Sequence, residues 1–247
     1  MAGHSKFKNI MHRKGAQDKK RAKIFSRLGR EITVSVRSGG SDQESNIRLR
    51  SAISSAKSLN MPKDNIQRAI KKGEGNDPDS NFEEVRYEGY GPSGVAVIVE
   101  AMTNNKNRTA AEIRSTFNKF GGNLGETGSV SYSFKRLGSI TIEKKFCDEN
   151  ELLEFVIENG SEDFETNEVD FIIYCDPNIL HNLNEKIQKK FGETSIELIW
   201  KSESSIDIKQ ENSEKLFKLL NTLEENDDVQ SVSSNFNVSE EILETLT

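Results

Sequence analysis

The chain has 247 residues, of which 34% are hydrophobic and 30% charged, and its formal net charge is −6. This length allows two or three small domains. The longest apolar run, Val95–Val99, is far shorter than the roughly 20 residues of a membrane-spanning helix. Two cysteines, Cys147 and Cys175, make neither a disulfide scaffold nor a zinc site. We therefore expect a cytoplasmic protein without a membrane span.

The charge is distributed very unevenly along the chain. Residues 1–80 contain 18 Lys and Arg against 8 Asp and Glu, a net charge of +10. Residues 81–247 contain 16 against 32, a net charge of −16. Because a polyanion responds to the surface it meets rather than to the mean charge, this asymmetry predicts a nucleic-acid partner for the first segment. The alternative is a solvated helix face that the acidic remainder neutralises.

Three helices are predicted in the basic segment. Residues 17–38 carry an apolar stripe at helical spacing. The stripe consists of Ile24, Phe25, Leu28, Ile32 and Val36. A second helix is predicted at 44–59, and a third begins at Pro62 and ends at Gly73. This periodicity favours a folded bundle over the alternative of a mitochondrial transit peptide, and a polar linker at 74–81 follows it.

Strands and helices alternate in the rest of the chain. Strands are predicted at 95–102, 129–135, 139–144, 169–174, 195–201, 206–208 and 229–236, and helices at 108–120, 149–159, 178–191 and 213–225. These elements fit two copies of the split β-α-β-β-α-β pattern. The predicted fold class is α+β: a three-helix bundle in 1–78, then two ferredoxin-like α/β domains. The domain at 136–205 is inserted into the other, made of 82–135 plus 206–247.

Two glycine-rich stretches resemble nucleotide-binding loops without the required context. Gly89–Gly94 matches G-x-G-x-x-G, but it precedes a strand instead of joining a strand to a helix. We interpret it as a turn. Gly121–Gly128 ends a helix, leads into a strand and lacks the Lys-Ser/Thr of a phosphate loop. Neither stretch predicts a bound nucleotide cofactor.

The sequence contains no recognisable catalytic constellation. His4 and His12 lack partner ligands at metal spacing, and His181 is far away along the chain. Ser-His-Asp, Cys-His and H-E-x-x-H arrangements do not occur. We therefore expect no enzyme activity, no catalytic residue, no metal, no cofactor and no small-molecule substrate.

Three stretches resemble the YebC family of bacterial regulatory proteins, whose mitochondrial relatives are translational activators. They are residues 2–32, Asn60–Gly73 and Tyr87–Phe134, and together they cover most of 2–134. The resemblance implies a helical N-terminal domain and two α/β domains. It also implies a DNA-binding transcriptional regulator or, as the alternative, a ribosome-associated translation factor.

The candidate nucleic-acid-binding residues are cations that would contact phosphates by counterion release, without reading sequence. They are Lys6, Lys8, Arg13, Lys14, Lys19, Lys20, Arg21, Lys23, Arg27, Arg30, Lys106 and Arg108. The first helix lacks the clustered Asn, Gln and Ser that would accompany Arg in direct base readout. Phe7 either stacks on an exposed base or pins the N-terminal arm to the bundle. Asn107 or Thr109 is expected to cap the helix after Lys106.

Three functions follow from this pattern. The basic domain contacts duplex DNA in a transcriptional regulator, or ribosomal RNA in a translation factor. A third possibility is an adaptor whose basic domain docks on an acidic protein. DNA and RNA present the same phosphates, so the sequence alone leaves them open, and it does not indicate an oligomeric state.

Overall fold

The computed structural model describes residues 17–75 and 80–239, with side chains from Arg21 onward. Its first part is the predicted three-helix bundle. The helices are α1 (Gln17–Gly39), α2 (Ile47–Ser58) and α3 (Lys63–Glu74). The core between them consists of Ile32, Val36, Leu49, Ala52, Ile53, Ala56, Met61, Ile66 and Ala69. The stripe of α1 predicted from helical spacing contributes Ile32 and Val36 to the centre of this core.

The helices of the bundle are joined by polar contacts as well as apolar ones. The Asn46 side chain caps α2 by accepting a hydrogen bond from the Leu49 amide at 3.0 Å, and it donates to the Ser35 carbonyl at 2.7 Å. The Asn46 side chain therefore satisfies a backbone amide in the first turn of α2 and joins this helix to the end of α1. Between α1 and α3, the Thr33 hydroxyl donates to the Ala69 carbonyl at 3.1 Å.

The second unit, the outer α/β domain, is a four-stranded sheet of order β3-β1-β2-β9 with two helices packed on it. Its elements are β1 (Glu83–Tyr90), β2 (Ala96–Thr103), α4 (Lys106–Lys119), β3 (Asn123–Leu124), α7 (Gln210–Glu225) and β9 (Val229–Ser234). All the pairings in this sheet are antiparallel. The apolar side chains of β2 pack against α4 and α7, around Phe117, Leu216 and Leu220.

The third unit, the inserted α/β domain, lies in sequence between α4 and α7. Its elements are β4 (Phe134–Glu143), α5 (Glu149–Glu158), β5 (Ser161–Thr166), β6 (Asp170–Cys175), α6 (Leu180–Phe191) and β7 (Ser195–Ser202). Its antiparallel sheet has the order β5-β6-β4-β7, as the split β-α-β-β-α-β pattern requires. A short parallel pair, β8 (Ile206–Asp207) with β10 (Phe236–Asn237), completes the chain described here.

The predicted α+β class, with a helical N-terminus followed by two nested α/β units, is confirmed by these sheets. The split β-α-β-β-α-β pattern holds for the inserted domain. The outer sheet departs from it, because β1 precedes β2 and the strand predicted at 206–208 pairs outside this sheet as β8. The precise domain boundaries stay a prediction. No helix in the described ranges is long and apolar enough to cross a bilayer.

Of the strands in the described residues, the sequence patterns missed β1, β5 and the two-residue β3, and one predicted strand was misplaced. β1 (Glu83–Tyr90) and β5 (Ser161–Thr166) are rich in charged residues. β5 has no buried position and the two buried positions of β1 are Glu88 and Gly89, so neither strand shows an apolar alternation. The strand predicted at 129–135 is wrong: a single 3₁₀ turn, Ser131–Ser133, leads there into β4. The turn predicted at Gly89–Gly94 is confirmed, since it joins β1 to β2 as a hairpin.

The tight approach of α1 and α3 generates a stability prediction. A Cβ atom on Gly73 would lie 2.7 Å from the Thr33 carbonyl oxygen and 2.7 Å from the Val36 Cβ. We expect Gly73→Ala to lower the free energy of unfolding by about 1–3 kcal/mol, because two backbones must separate. Urea denaturation measures this change.

The matched control is Gly75→Ala. A Cβ on Gly75 would meet carbonyl oxygens at 3.5 and 3.7 Å, which is ordinary contact. We expect a change within about 0.5 kcal/mol for this variant. Equal losses for Gly73→Ala and Gly75→Ala would contradict the proposed close packing.

Candidate nucleic-acid interface

The described cations of α1 divide into two groups. Arg21 is exposed, with its guanidinium carbon 5.5 Å from the centre of the Phe25 ring. Lys23, Arg27 and Arg30 instead face the outer α/β domain, where the end of α7 and the residues after it form the acidic segment Glu224–Asp228. Part of the basic run is therefore used inside the protein.

Arg27 and Arg30 make direct contacts across this domain boundary. The Arg27 guanidinium donates to the Glu224 carbonyl oxygen at 2.8 Å. The Arg30 guanidinium donates to the Met102 carbonyl at 3.0 Å and to the Asp228 carboxylate at 2.9 Å. The side chain of Arg30 is only 17% exposed. A charge-assisted pair with this little exposure is screened by solvent much less than a surface pair.

Asp228 is the centre of the contact. One carboxylate oxygen accepts from Arg30, and the other accepts from Arg108 at 2.7 Å, Thr109 at 2.7 Å and Thr103 at 3.1 Å. Burial opposes its ionisation, but the hydrogen bonds from Arg108 and Thr109 and the charges of Arg30 and Arg108 outweigh it and lower the Asp228 pKa. The carboxylate therefore stays ionised in the folded protein and joins α1, α4 and β2.

Lys23 is the least satisfied cation of the contact. Its ammonium is buried and has no hydrogen-bond partner among the described residues. Burial, followed by the charge of Arg27, lowers the Lys23 pKa to about 8, against the opposing influence of Asp227, Glu225 and Glu224. The Nε of Arg27 is also buried and unpartnered within the described chain. The contact is therefore only partly complementary, which limits its stability.

The bundle also contacts the inserted domain. The Ser51 hydroxyl and the Nδ1 atom of His181 lie 2.7 Å apart, and Arg50 lies 3.5 Å from the Glu185 carboxylate. Burial and the charge of Arg50 lower the His181 pKa. The bundle is thus held against both α/β domains by polar contacts.

A groove next to the domain contact shares Arg30 with it and is lined by two exposed cations, Arg68 and Lys72. It runs between α1 and α3, has a volume of about 560 Å³, and is lined by Phe25, Arg30, Asn65, Arg68, Lys72 and Phe82 among others. Arg68 and Lys72 are exposed, and neither forms an ion pair with a described carboxylate. Their spacing of four residues places both on one face of α3.

The predicted site residues are distributed as follows. Lys6, Lys8, Arg13 and Lys14 lie outside the described residues, and the side chains of Lys19 and Lys20 are likewise not described. Lys106 is half-exposed and pairs with Glu83 at 2.6 Å. Arg21 is at the surface, whereas Lys23, Arg27, Arg30 and Arg108 belong to the contact with the acidic segment. Nucleic-acid contact by these twelve residues stays a prediction.

The cations of α3 were missed as candidates. Lys63, Arg68, Lys71 and Lys72 are all exposed, and the signal was available in their spacing along a helix whose opposite face is apolar. The predicted helix cap was also wrong. Asn105 caps α4 by accepting from the Arg108 amide at 3.1 Å, while Thr109 bonds to Asp228. The helix begins at Lys106, two residues earlier than the pattern suggested.

A basic helical bundle followed by two nested α/β domains defines a class of three-domain proteins. The profile of the TACO1/YebC protein N-terminal domain matches residues 5–76, and that of the TACO1/YebC second and third domain matches residues 82–236. The chain therefore belongs to the TACO1/YebC family, as the resemblance implied. It is also similar to a solved structure, that of a conserved hypothetical protein from Aquifex aeolicus. The two are 49% identical, the match covers 91% of this chain and 93% of that one, and the TM-score is 0.82.

The Asp228 contact generates a second stability prediction. We expect Asp228→Asn to lower the free energy of unfolding by about 3 kcal/mol at neutral pH, because two arginines lose a buried counter-charge. The exposed neighbour Asp227 provides the control, and Asp227→Asn is expected to change stability by no more than about 0.5 kcal/mol. Urea denaturation compares the two variants, and a larger loss for Asp227→Asn would refute this assignment.

The contribution of Asp228 to stability should decrease at acidic pH. The folded-state pKa of Asp228 is lowered, so its stabilising contribution is present above the unfolded pKa and is lost as the pH falls through the folded value. The difference between the wild type and Asp228→Asn should therefore shrink below about pH 4.

The lowered pKa of Lys23 predicts a second effect of pH on stability, in the alkaline range. Its pKa is lowered from 10.5 to about 8, so between these values the unfolded chain holds a proton that the folded chain has lost. Stability of the wild type should therefore rise with pH across this window relative to Lys23→Met, which has no amine to titrate. Thermal unfolding at a series of pH values measures the difference, and parallel curves for the two proteins would exclude this role of Lys23.

Proposed function

We propose that this protein is a regulatory nucleic-acid-binding protein of the cytoplasm, and that it binds the phosphate backbone through the exposed cations of its helical bundle. The observation that carries the proposal is the placement of Arg21, Arg68, Lys71 and Lys72. These cations have no described carboxylate partner, although acidic residues outnumber basic ones in the whole chain, 40 to 34. Cations that remain unpaired on an acidic protein suit an external polyanion.

The cations of the first twenty residues extend this surface in our proposal. Lys19 and Lys20 belong to the first turn of α1, and Lys6, Lys8, Arg13 and Lys14 precede it. Arg27, Arg30 and Arg108 take a different role, that of positioning the bundle on the outer α/β domain. Substitution of these three arginines is expected to act mainly through stability.

The sequence does not decide between two regulatory functions, transcription through DNA and translation through ribosomal RNA. One observation favours RNA. The cations border a groove with aromatic side chains, Phe25 and Phe82, whereas a DNA regulator of helical type inserts a projecting helix with polar side chains into the major groove. A concave surface with aromatic rings matches the unstacked bases that RNA exposes.

We also propose that the protein binds its partner without catalysing a reaction. Ser51 and His181 are hydrogen-bonded, but no described carboxylate accepts a hydrogen bond from that imidazole, as a nucleophile–base pair would need. Burial, followed by the nearby charges of Glu162 and Asp176, raises the pKa of Cys175 to about 11, so its thiol is not a nucleophile at neutral pH. Among the described residues, no group of three or more His, Cys, Asp and Glu side chains is arranged to hold a metal ion.

The test is the salt dependence of nucleic-acid binding. Replacing Arg68, Lys71 and Lys72 together with Ala should reduce the slope of log K against log salt by about 2–3 on RNA or DNA, because each lost phosphate contact removes about 0.7–0.9. Fluorescence anisotropy at several salt concentrations measures the slope.

The control variant also removes three positive charges, but from the inserted domain. Lys186, Lys189 and Lys190 are exposed on α6 of the inserted domain, and their triple Ala variant should keep the wild-type slope. Identical slopes for all three proteins would exclude α3 from the interface. Sedimentation of lysate through sucrose then separates the contexts: co-migration with ribosomes supports translation, and a footprint at defined promoters supports transcription.

A further inference from the structure

The groove between α1 and α3 has the composition of a binding site for an aromatic anion. Among the described residues, its lining includes three cations, Arg30, Arg68 and Lys72, and no acidic residue. It also includes two half-buried rings, Phe25 and Phe82. Its volume of about 560 Å³ lies within the usual range of small-ligand sites, about 300–1,000 Å³.

Phe82 has the most informative surroundings. The Arg30 guanidinium carbon lies 5.2 Å from the ring centre, and the Lys72 ammonium lies 5.3 Å from it. Arg30 is fixed by its bonds to Asp228 and Met102, so its position over the ring is set by the domain contact. Lys72 is exposed and has no described carboxylate partner. An entering planar group would displace the exposed Lys72 side chain and leave Arg30 in place.

Asn65 adds a polar group to the same groove. It lies in the first turn of α3, half-buried, and its side-chain amide has no hydrogen-bond partner in the described part of the chain. A free amide offers two donors and one acceptor, the complement that the edge of a nucleobase presents. The groove thus combines an aromatic ring, cations and a free amide.

We propose that this groove holds an unpaired nucleotide of RNA, with its base against Phe82, its edge near Asn65 and its phosphate among Arg68 and Lys72. The inference rests on the proposed nucleic-acid function and narrows it to unpaired bases. In a duplex the bases are stacked and paired, so a duplex presents phosphates to Arg68 and Lys72 but no free ring face to Phe82. RNA is favoured over DNA as the source because its loops and bulges regularly expose unstacked bases.

The test compares binding of the full-length protein, at one salt concentration, to three labelled oligonucleotides of equal length. They are an RNA hairpin with an open loop, a fully paired RNA duplex, and a single-stranded DNA that contains the loop sequence. Phe82→Leu keeps an apolar side chain and removes the ring, and Phe82→Tyr keeps the ring. We expect Phe82→Leu to weaken binding of the hairpin about 5- to 150-fold, the range of one lost base–aromatic stack, and to leave duplex binding unchanged. Phe82→Tyr should bind as the wild type does.

Phe120→Leu is the matched control. Phe120 is a half-buried ring with the Lys119 ammonium 5.3 Å from its centre, and it lies on the outer domain outside the groove. This variant should bind all three oligonucleotides as the wild type does. Unchanged thermal unfolding of Phe82→Leu ensures that a loss of affinity reports on the groove and not on folding.

The outcomes separate the groove from the general function. The groove inference is overturned if Phe82→Leu weakens hairpin and duplex binding equally, or if it weakens neither of them. The proposed function remains in either case, provided that the triple variant of Arg68, Lys71 and Lys72 weakens both hairpin and duplex binding. Equal affinity of the wild type for the RNA hairpin and the single-stranded DNA overturns the assignment to RNA. Absence of binding to all three oligonucleotides overturns the proposed function itself.

Discussion

The buried carboxylate of Asp228 is the interaction on which the arrangement of this protein depends. It receives hydrogen bonds from Arg30 of α1, Arg108 and Thr109 of α4 and Thr103 of β2. An ionised carboxylate is costly to bury, and it is stable here because two guanidinium groups and two hydroxyls surround it. The same contact fixes Arg30 beside the Phe82 ring. The domain boundary and the proposed binding groove therefore share one arginine.

The basic segment performs two different tasks. Cations that face the acidic segment Glu224–Asp228 hold the bundle to the outer domain. Within the described residues, this contact leaves the Lys23 ammonium and the Arg27 Nε without a hydrogen-bond partner. The exposed cations, on α3 and at Arg21, remain in water and keep their long-range attraction for a polyanion. The division explains how a protein with an excess of acidic residues retains a cationic surface.

The nested topology places this surface on a defined support. The outer sheet takes β1, β2 and β3 from before the inserted domain and β9 from after it, so the sheet is complete only when the chain returns. Asp228 directly precedes β9 and reaches the bundle only because that strand pairs with β2. Formation of the outer sheet, closure of the domain contact and orientation of the groove are therefore coupled.

Much of this was determined by the sequence alone. Helical spacing identified the bundle and the core positions Ile32 and Val36, and the order of strands and helices identified the nested α+β fold, because hydrophobic periodicity is a local property. The family resemblance was also readable from residues 2–134. Only the tertiary structure decided which cations stay exposed. Arg21, Arg27 and Arg30 lie in the same basic helix, but Arg21 is exposed whereas Arg27 and Arg30 contact the outer domain. The partner of Arg27, Glu224, is 197 residues away along the chain. Burial and pairing depend on what the fold brings together across the chain, and the spacing of charges along one helix carries no information about that partner.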